Sequence, residues 1–442
     1  MRRGHVLLRA ILALMAGAIV ATGAGAHPYK LHILHSFCIS HAYCPDGKTP
    51  LAGVVMDSAG NLYGTASNGG GPNHAGTVFE LQRDSAKQRW RFKVLYRFCS
   101  KDPPWCNDGT APSSSLIIDA SGNLYGTTVI NGRREGTVFK LSPHPPHWLW
   151  KLTSLYKFCS RARCKYGSNP LYGGLDYQGK EAGAPYDGVS PLYGMTYNGG
   201  TFAGGVVFML TPSPDKTHLN NTVLHDFCTE TPCTNGFGPS GGLIMDAAGN
   251  LYGTTTDGVA NPSTPGTVFK LSPGPHRKWT YTILHRFCSQ TNCADGMNPT
   301  STLLMDSSGA LIGTTGEGGR SGFGVAFKLA LQNSAWTETV LYDFCTQGFD
   351  CSDGGFPYAG LVMDPSGKLF GVSWMGGTAL FGTVFKLGRH LEVLHNFCTE
   401  SGCPDGEYTS YGNLAMDAEG NLFGTAYEGG TFGGGTVFEL TP

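Results

Sequence analysis

The chain has 442 residues, 40% of them apolar and 14% charged, with a net charge of −1. That apolar share fills a large core, and a near-neutral balance without a basic tract excludes nucleic-acid binding as a leading function. The 65 glycines, about twice the usual share, point to many short strands joined by tight turns.

In chain order, residues 1–26 read as a secretory signal. Arg2, Arg3 and Arg9 make a basic start, "AILALMAGAIVATG" (10–23) is the apolar region, and "AGA" (24–26) offers a cleavage site before His27. The apolar run is short of the about 20 residues that span a bilayer. No cysteine follows it, and the Arg2 and Arg3 pair leaves the general secretory and twin-arginine routes both open. With no later spanning segment, the mature chain is expected to be soluble in an oxidising compartment, secreted or periplasmic.

Next comes a strand-like run, "LHILHSFC" (31–38), and then a four-part pattern repeats. "AGVVMDSAGNLYGTASNGG" (52–70) is matched by "GGLIMDAAGNLYGTTTDG" (241–258) and "NLAMDAEGNLFGTAYEGG" (413–430). A "GTVFKL"-type run follows at 76–81, 136–141, 205–210, 266–271, 324–329, 382–387 and 435–440. A run such as "WTYTILHRFC" closes each unit. Call these strands A, B, C and D. Short β-runs bounded by Gly, Asn, Asp and Pro, four to a unit and seven times over, predict an all-β, seven-bladed β-propeller spanning 27–442. The repeats are about 31–93, 94–153, 154–222, 223–282, 283–339, 340–391 and 392–442. The third carries an extra stretch, "KEAGAPYDGVSP" (180–191), in its A–B hairpin. The chain begins with a D-type strand and its last copy lacks one, so the N-terminal strand is predicted to complete the last blade.

"GNLYGTT", "GG", "GTVFKL", "LH-x-F" and "DG-x-x-P" together resemble the GloVer repeat of the choice-of-anchor tandem repeat proteins. The resemblance covers almost all of the mature chain. It implies an exported bacterial propeller-like protein and implies no particular activity.

The 14 cysteines fall into seven pairs, one per repeat. They are Cys38 with Cys44, Cys99 with Cys106, Cys159 with Cys164, Cys228 with Cys233, Cys288 with Cys293, Cys345 with Cys351, and Cys398 with Cys403. Each pair lies between strand D and the next strand A. Two thiols per repeat without a fixed histidine fall short of a metal site, and four to six intervening residues are too many for a thioredoxin-like motif. In an exported chain the plain reading is seven local disulfides that pin the crossing between blades. No metal and no cofactor are expected.

Antiparallel order places the D–A and B–C loops on one face. On it the D–A loops carry Asp46, Asp108, Asp295, Asp353 and Asp405, with Asn235 and Tyr166 in the other two. These are either a ring of ligand-binding carboxylates or Asp-Gly turns whose side chains bond the backbone, and the turn reading fits a feature repeated in every blade better. A single active site must break sevenfold symmetry. Among B–C loop residues, Glu317 and Glu428 are candidates for an acid/base pair, the bland alternative being solvated loop charge. Trp105 and Trp374 break register on this face, and their ring faces suit stacking on sugars. Trp90, Trp150, Trp279 and Trp336 keep register and are expected to pack strand D. His35, His225, His285 and His395 share a position with Tyr96, Tyr156 and Tyr342, which argues against metal ligation.

Two functions follow. The first is a monomeric binding or scaffold module for a polysaccharide or a cell-surface protein, without nucleic acid or a membrane span after signal cleavage. The second is a polysaccharide-acting enzyme, a lyase or hydrolase, using the loop carboxylates.

Overall fold

The computed structural model describes residues 29–442 apart from 41, 85–88, 101–102, 104, 131–134, 145–148, 160–163, 172, 215–217, 230–232, 257–264 and 347–350. The expected signal, residues 1–26, lies outside the described residues. Seven antiparallel sheets follow one another around a ring. Blade four shows the plan: A is Ile244–Met245, B is Leu251–Thr255, C is Thr267–Pro273 and D is Trp279–Arg286, hydrogen-bonded in that order. The chain is a seven-bladed β-propeller.

Each "L-Y-G-T-T" run is a wholly buried B strand because it is covered on both sides. The glycine is required there: a Cβ on Gly64 would lie 2.5 Å from the Phe79 ring of the neighbouring C strand. Val78, Phe79 and Leu81 on that C strand are fully buried, and the same triplet recurs around the ring. The core is therefore seven interblade layers. Phe79 and Leu62 of blade one pack with Phe423 and Val437 of blade seven, so the layers close on themselves. Trp90 meets Phe423 edge-on at 5.9 Å and Trp279 meets Tyr193 at 6.2 Å, while Trp150 and Trp336 pack on neighbouring interblade layers.

The N-terminal strand closes the ring. Lys30–Ser36 pairs antiparallel with Thr436–Thr441, from Lys30 opposite Thr441 to Ser36 opposite Thr436. It is strand D of blade seven. Near the axis, a threonine on strand B donates its hydroxyl to a carbonyl of the next blade: Thr314 to Ala359 at 2.9 Å and Thr425 to Ala52 at 3.0 Å, the latter joining blade seven to blade one. Met195 and Val372 hold this position in blades three and six and have no hydroxyl to give.

Two features depart from the expected plan. Blade three is a three-stranded sheet, its A position reduced to the single bridge between Asp176 and Tyr193. The inserted segment diverts the chain there. Its Tyr186, 2% exposed, lies against blade two, with its amide on the Ile118 carbonyl and its carbonyl taking the Ala120 amide. The segment folds back onto the propeller. The other feature is a β-bulge in every C–D ladder, one residue of strand D being extra, as Leu34 is between Ile33 and His35. A bulge re-aims the residue that follows, and that residue is the recurrent His or Tyr.

Candidate ligand-binding face

The D–A and B–C loops do share a face, and they are tied together on it. Lys48 bridges Asn68, Met297 bridges Glu317 and Gly355 bridges Met375, each linking a D–A loop to the B–C loop of its own blade. In blade seven this link lengthens into a ladder in which Glu407 stands directly opposite Glu428.

All seven cysteine pairs are disulfide-bonded as the spacing predicts: Cys38 to Cys44, Cys99 to Cys106, Cys159 to Cys164, Cys228 to Cys233, Cys288 to Cys293, Cys345 to Cys351, and Cys398 to Cys403. The two members of a pair do different jobs. The second closes the turn that ends in glycine, Asp-Gly or Asn-Gly in six loops and Tyr166-Gly167 in the third: the carbonyls of Cys44, Cys106, Cys164, Cys233, Cys293, Cys351 and Cys403 each accept the amide of the glycine three residues on, at 2.8 to 3.2 Å. The first member, with φ from 53° to 70°, has a left-handed backbone, shared by every second member except Cys233, a conformation rare outside glycine.

The loop aspartates hold the first cysteine there. Asp46 accepts the Cys38 amide through both oxygens at 3.1 Å, Asp108 takes the Cys99 amide, Asp405 the Cys398 amide, and Asn235 Oδ1 the Cys228 amide. Asp295 and Asp353 take the next amides, of Ser289 and Thr346. The re-aimed His or Tyr completes the arrangement: His35 Nε2 lies 2.9 Å from Asp46, His395 Nε2 2.9 Å from Asp405, and the Tyr96 and Tyr342 hydroxyls donate to Asp108 and Asp353 at 2.8 and 2.7 Å. Asp46, Asp295 and Asp353 are buried. Their carboxylates are engaged inside the disulfide loops.

One loop differs in a way that titrates. In the D–A loop after blade three the partner is Asn235, whose Nδ2 lies 3.4 Å from His225 Nε2, and His225 stacks on Tyr281 at 3.9 Å. With no carboxylate to favour the imidazolium, burial pushes His225 down to about 4. Burial also lowers His285, partly offset by Asp295. The folded state thus takes up the proton later than the unfolded chain, whose histidine titrates near 6.5. Stability is fully present above about 6.5 and is lost as pH falls towards 4, by up to about 3 kcal/mol for His225. The variant His225→Tyr, a residue used in other blades, is expected to flatten that decline in urea midpoints measured from about pH 7 to 4. Parallel profiles for variant and parent would refute this assignment.

Sevenfold symmetry breaks over blades five to seven. Here the face carries a continuous run of half-buried rings. Phe323 meets Phe356 at 5.0 Å; Tyr358 stacks on Tyr411 at 5.3 Å; Trp374 stacks on Tyr408 at 5.0 Å and 25°, and touches Phe356 and Tyr358; Phe381 meets Tyr408 at 5.3 Å. Phe356 and Tyr408 occupy a repeat position held elsewhere by Thr49, Ala111, Asn169, Gly238 and Asn298, with positive φ in all seven blades. For an aromatic residue this conformation costs on the order of 1 kcal/mol or more. Trp374 was expected on this face. The other six rings of the run were not, although an aromatic residue at a position otherwise small or Asn was a readable signal.

Trp105 is 69% exposed in the cysteine loop between blades one and two, and no ring contact joins it to the others among the described residues. Glu317 belongs to blade five and accepts a bond from Asn298 Nδ2 at 3.4 Å. Glu428 belongs to blade seven, and its carboxylate neighbour is Glu407 rather than Glu317. Burial, then the charge of Glu428, holds the Glu407 carboxyl above its usual range. Burial, with Tyr411 and Glu317 adding to it, pushes the Tyr358 phenol up to about 12. No group of three or more His, Cys, Asp or Glu side chains suited to a metal ion occurs among the described residues.

No curated protein matches the chain. Among solved structures it is similar to PorZ, described as an essential bacterial surface component of the type-IX secretion system of Porphyromonas gingivalis, at 11% identity, 88% coverage of this chain and 46% of that one, with a TM-score of 0.48. This chain thus spans about half the length of PorZ. It is also similar to a putative oxidoreductase (glucose dehydrogenase) of Thermus thermophilus, at 16% identity, covering 74% of this chain and 96% of that one, with a TM-score of 0.40. The model of the Gloeobacter/Verrucomicrobia repeat matches residues 21–186 and 266–442, most of the sequence. The chain belongs to the Gloeobacter/Verrucomicrobia repeat family.

Proposed function

We propose that the protein is an exported binding propeller whose ligand is a glycan laid across the ring faces of blades five to seven. The observation that carries this reading is the run Phe323, Phe356, Tyr358, Trp374, Phe381, Tyr408 and Tyr411, half-buried and in mutual contact. Flat apolar rings with polar tips match the apolar faces and equatorial hydroxyls of pyranose rings, and they bury area with little side-chain entropy to lose. Seven disulfides support an oxidising compartment, secreted or periplasmic.

The test is retention on a panel of insoluble polysaccharides. Trp374→Ala is expected to weaken binding about 30-fold, the cost of truncating a central aromatic anchor at about 2 kcal/mol. Leu331→Ala, at an exposed site on the opposite face, is the control. Unchanged retention by the Trp374 variant, with an unchanged melt, would refute the site.

A second reading, hydrolysis of the bound glycan, rests on the facing Glu407 and Glu428 pair. New reducing ends that vanish on Glu428→Gln would establish it.

A further inference from the structure

We propose that the ligand of this face carries positive charge and is a glycan bearing free amines, a polymer of amino sugars. This rests on the glycan reading above and adds to it the sign of the ligand.

The argument is charge complementarity across an aromatic surface. Glu317 stands on the blade-five side of the rings and Glu407 and Glu428 on the blade-seven side. Glu407 and Glu428 face each other in an antiparallel ladder, where like charges are destabilising. The fold does not demand this. The same bridge holds Lys48 opposite Asn68 in blade one and Gly355 opposite Met375 in blade six. Among the described residues, no ion pair reaches any of the three carboxylates. Glu407 is half-buried, and Glu428 discourages its ionisation. A ligand ammonium would relieve that repulsion. A neutral sugar would leave it in place, and a uronate or sulfate would add to it.

The rings reinforce the same choice. Tyr408 follows Glu407 directly in the chain and lies stacked on Trp374. An ammonium beside these ring faces is attracted by their quadrupoles as well as by the carboxylates. Tyr408 also sits in the left-handed backbone conformation at φ 51°. That conformation belongs to the repeat in every blade; what is particular to blade seven is that an aromatic ring occupies it beside an acid pair.

The probes are chitosan oligosaccharides and fully acetylated chitin oligosaccharides of equal length, with oligogalacturonate as the anionic member, all at about pH 6, where the amines of the one probe and the uronates of the other carry charge. The expected result is at least roughly tenfold tighter binding of chitosan than of chitin at low salt. The gap should close towards parity in about 1 M NaCl, where the screening length falls to about 3 Å. In the Glu407→Gln, Glu428→Gln double variant the ratio of the two affinities should fall towards one. Equal binding of chitosan and chitin by the parent protein, or preference for oligogalacturonate, would overturn the charge assignment while leaving the glycan site standing. Binding of none of the three, extended to the neutral polysaccharides of the wider panel, would overturn both.

Discussion

Deleting residues 29–36 is expected to abolish the single cooperative unfolding transition. The segment supplies the whole of strand D in blade seven, paired over its length with the last strand. Leu31 and Leu34 also pack on different interblade layers, one between blades six and seven and one between blades seven and one. Without them the last blade has an open edge and both layers lose their cover. The loss is on the scale of the total stability of a domain, about 5–15 kcal/mol, so the expected product is a molten or aggregated chain rather than a slightly weaker propeller. Calorimetry of the truncated chain, with Cys38 and Cys44 retained, measures this. A sharp transition within a few degrees of the parent would mean that the closing strand is dispensable.

The second large effect is chemical. Full reduction is expected to unfold the protein at room temperature. Each disulfide joins cysteines only five to seven residues apart, worth about 2 kcal/mol in the loop-closure account. Seven of them amount to about 15 kcal/mol, the upper end of domain stability. Reduction also frees from a left-handed backbone the first cysteine of all seven pairs and the second of six, a conformation that the bridge helps to impose. Circular dichroism with and without reductant, with a thiol titration that counts all 14 cysteines, is the measurement. A fully reduced chain that keeps its near-ultraviolet spectrum would show the bridges to be incidental.

The ring was legible in the sequence because its determinants are local. "GTVFKL" reads correctly for a strand buried on both sides, the Asp-x-x-Gly-Asn turn fixes the hairpin, and a cysteine pair marks each crossing. Asp57 accepts the amides of Ala59 and Asn61, as a turn aspartate does. What stayed hidden depends on side chains brought together from different blades. Tyr358 and Tyr411 are far apart in the chain, and nothing local to either one marks it as the other's partner. Glu407 escaped notice because its significance comes from standing opposite Glu428. The His/Tyr position on strand D and the Asp in the next loop read as two unrelated repeats, since the bulge that aims one at the other leaves no signature in a period-two pattern. The shortened sheet of blade three was concealed for a similar reason: Asp176 takes the place of an apolar A-strand residue, and only the packing of Tyr186 against blade two shows where the chain goes instead.

The contact between the Thr441 hydroxyl and the Lys30 carbonyl joins residues 411 apart. Synthesis runs from the other direction: the nascent chain releases its first strand hundreds of residues before its partner exists. Loop-closure entropy makes such a contact slow to form, so ring closure is expected late in folding, and until it forms the chain has two bare edges. Unpaired edges seek other edges. At high concentration two unfinished rings can exchange their first strands, so the yield of monomer after refolding should fall with protein concentration even when the finished ring is indifferent to it.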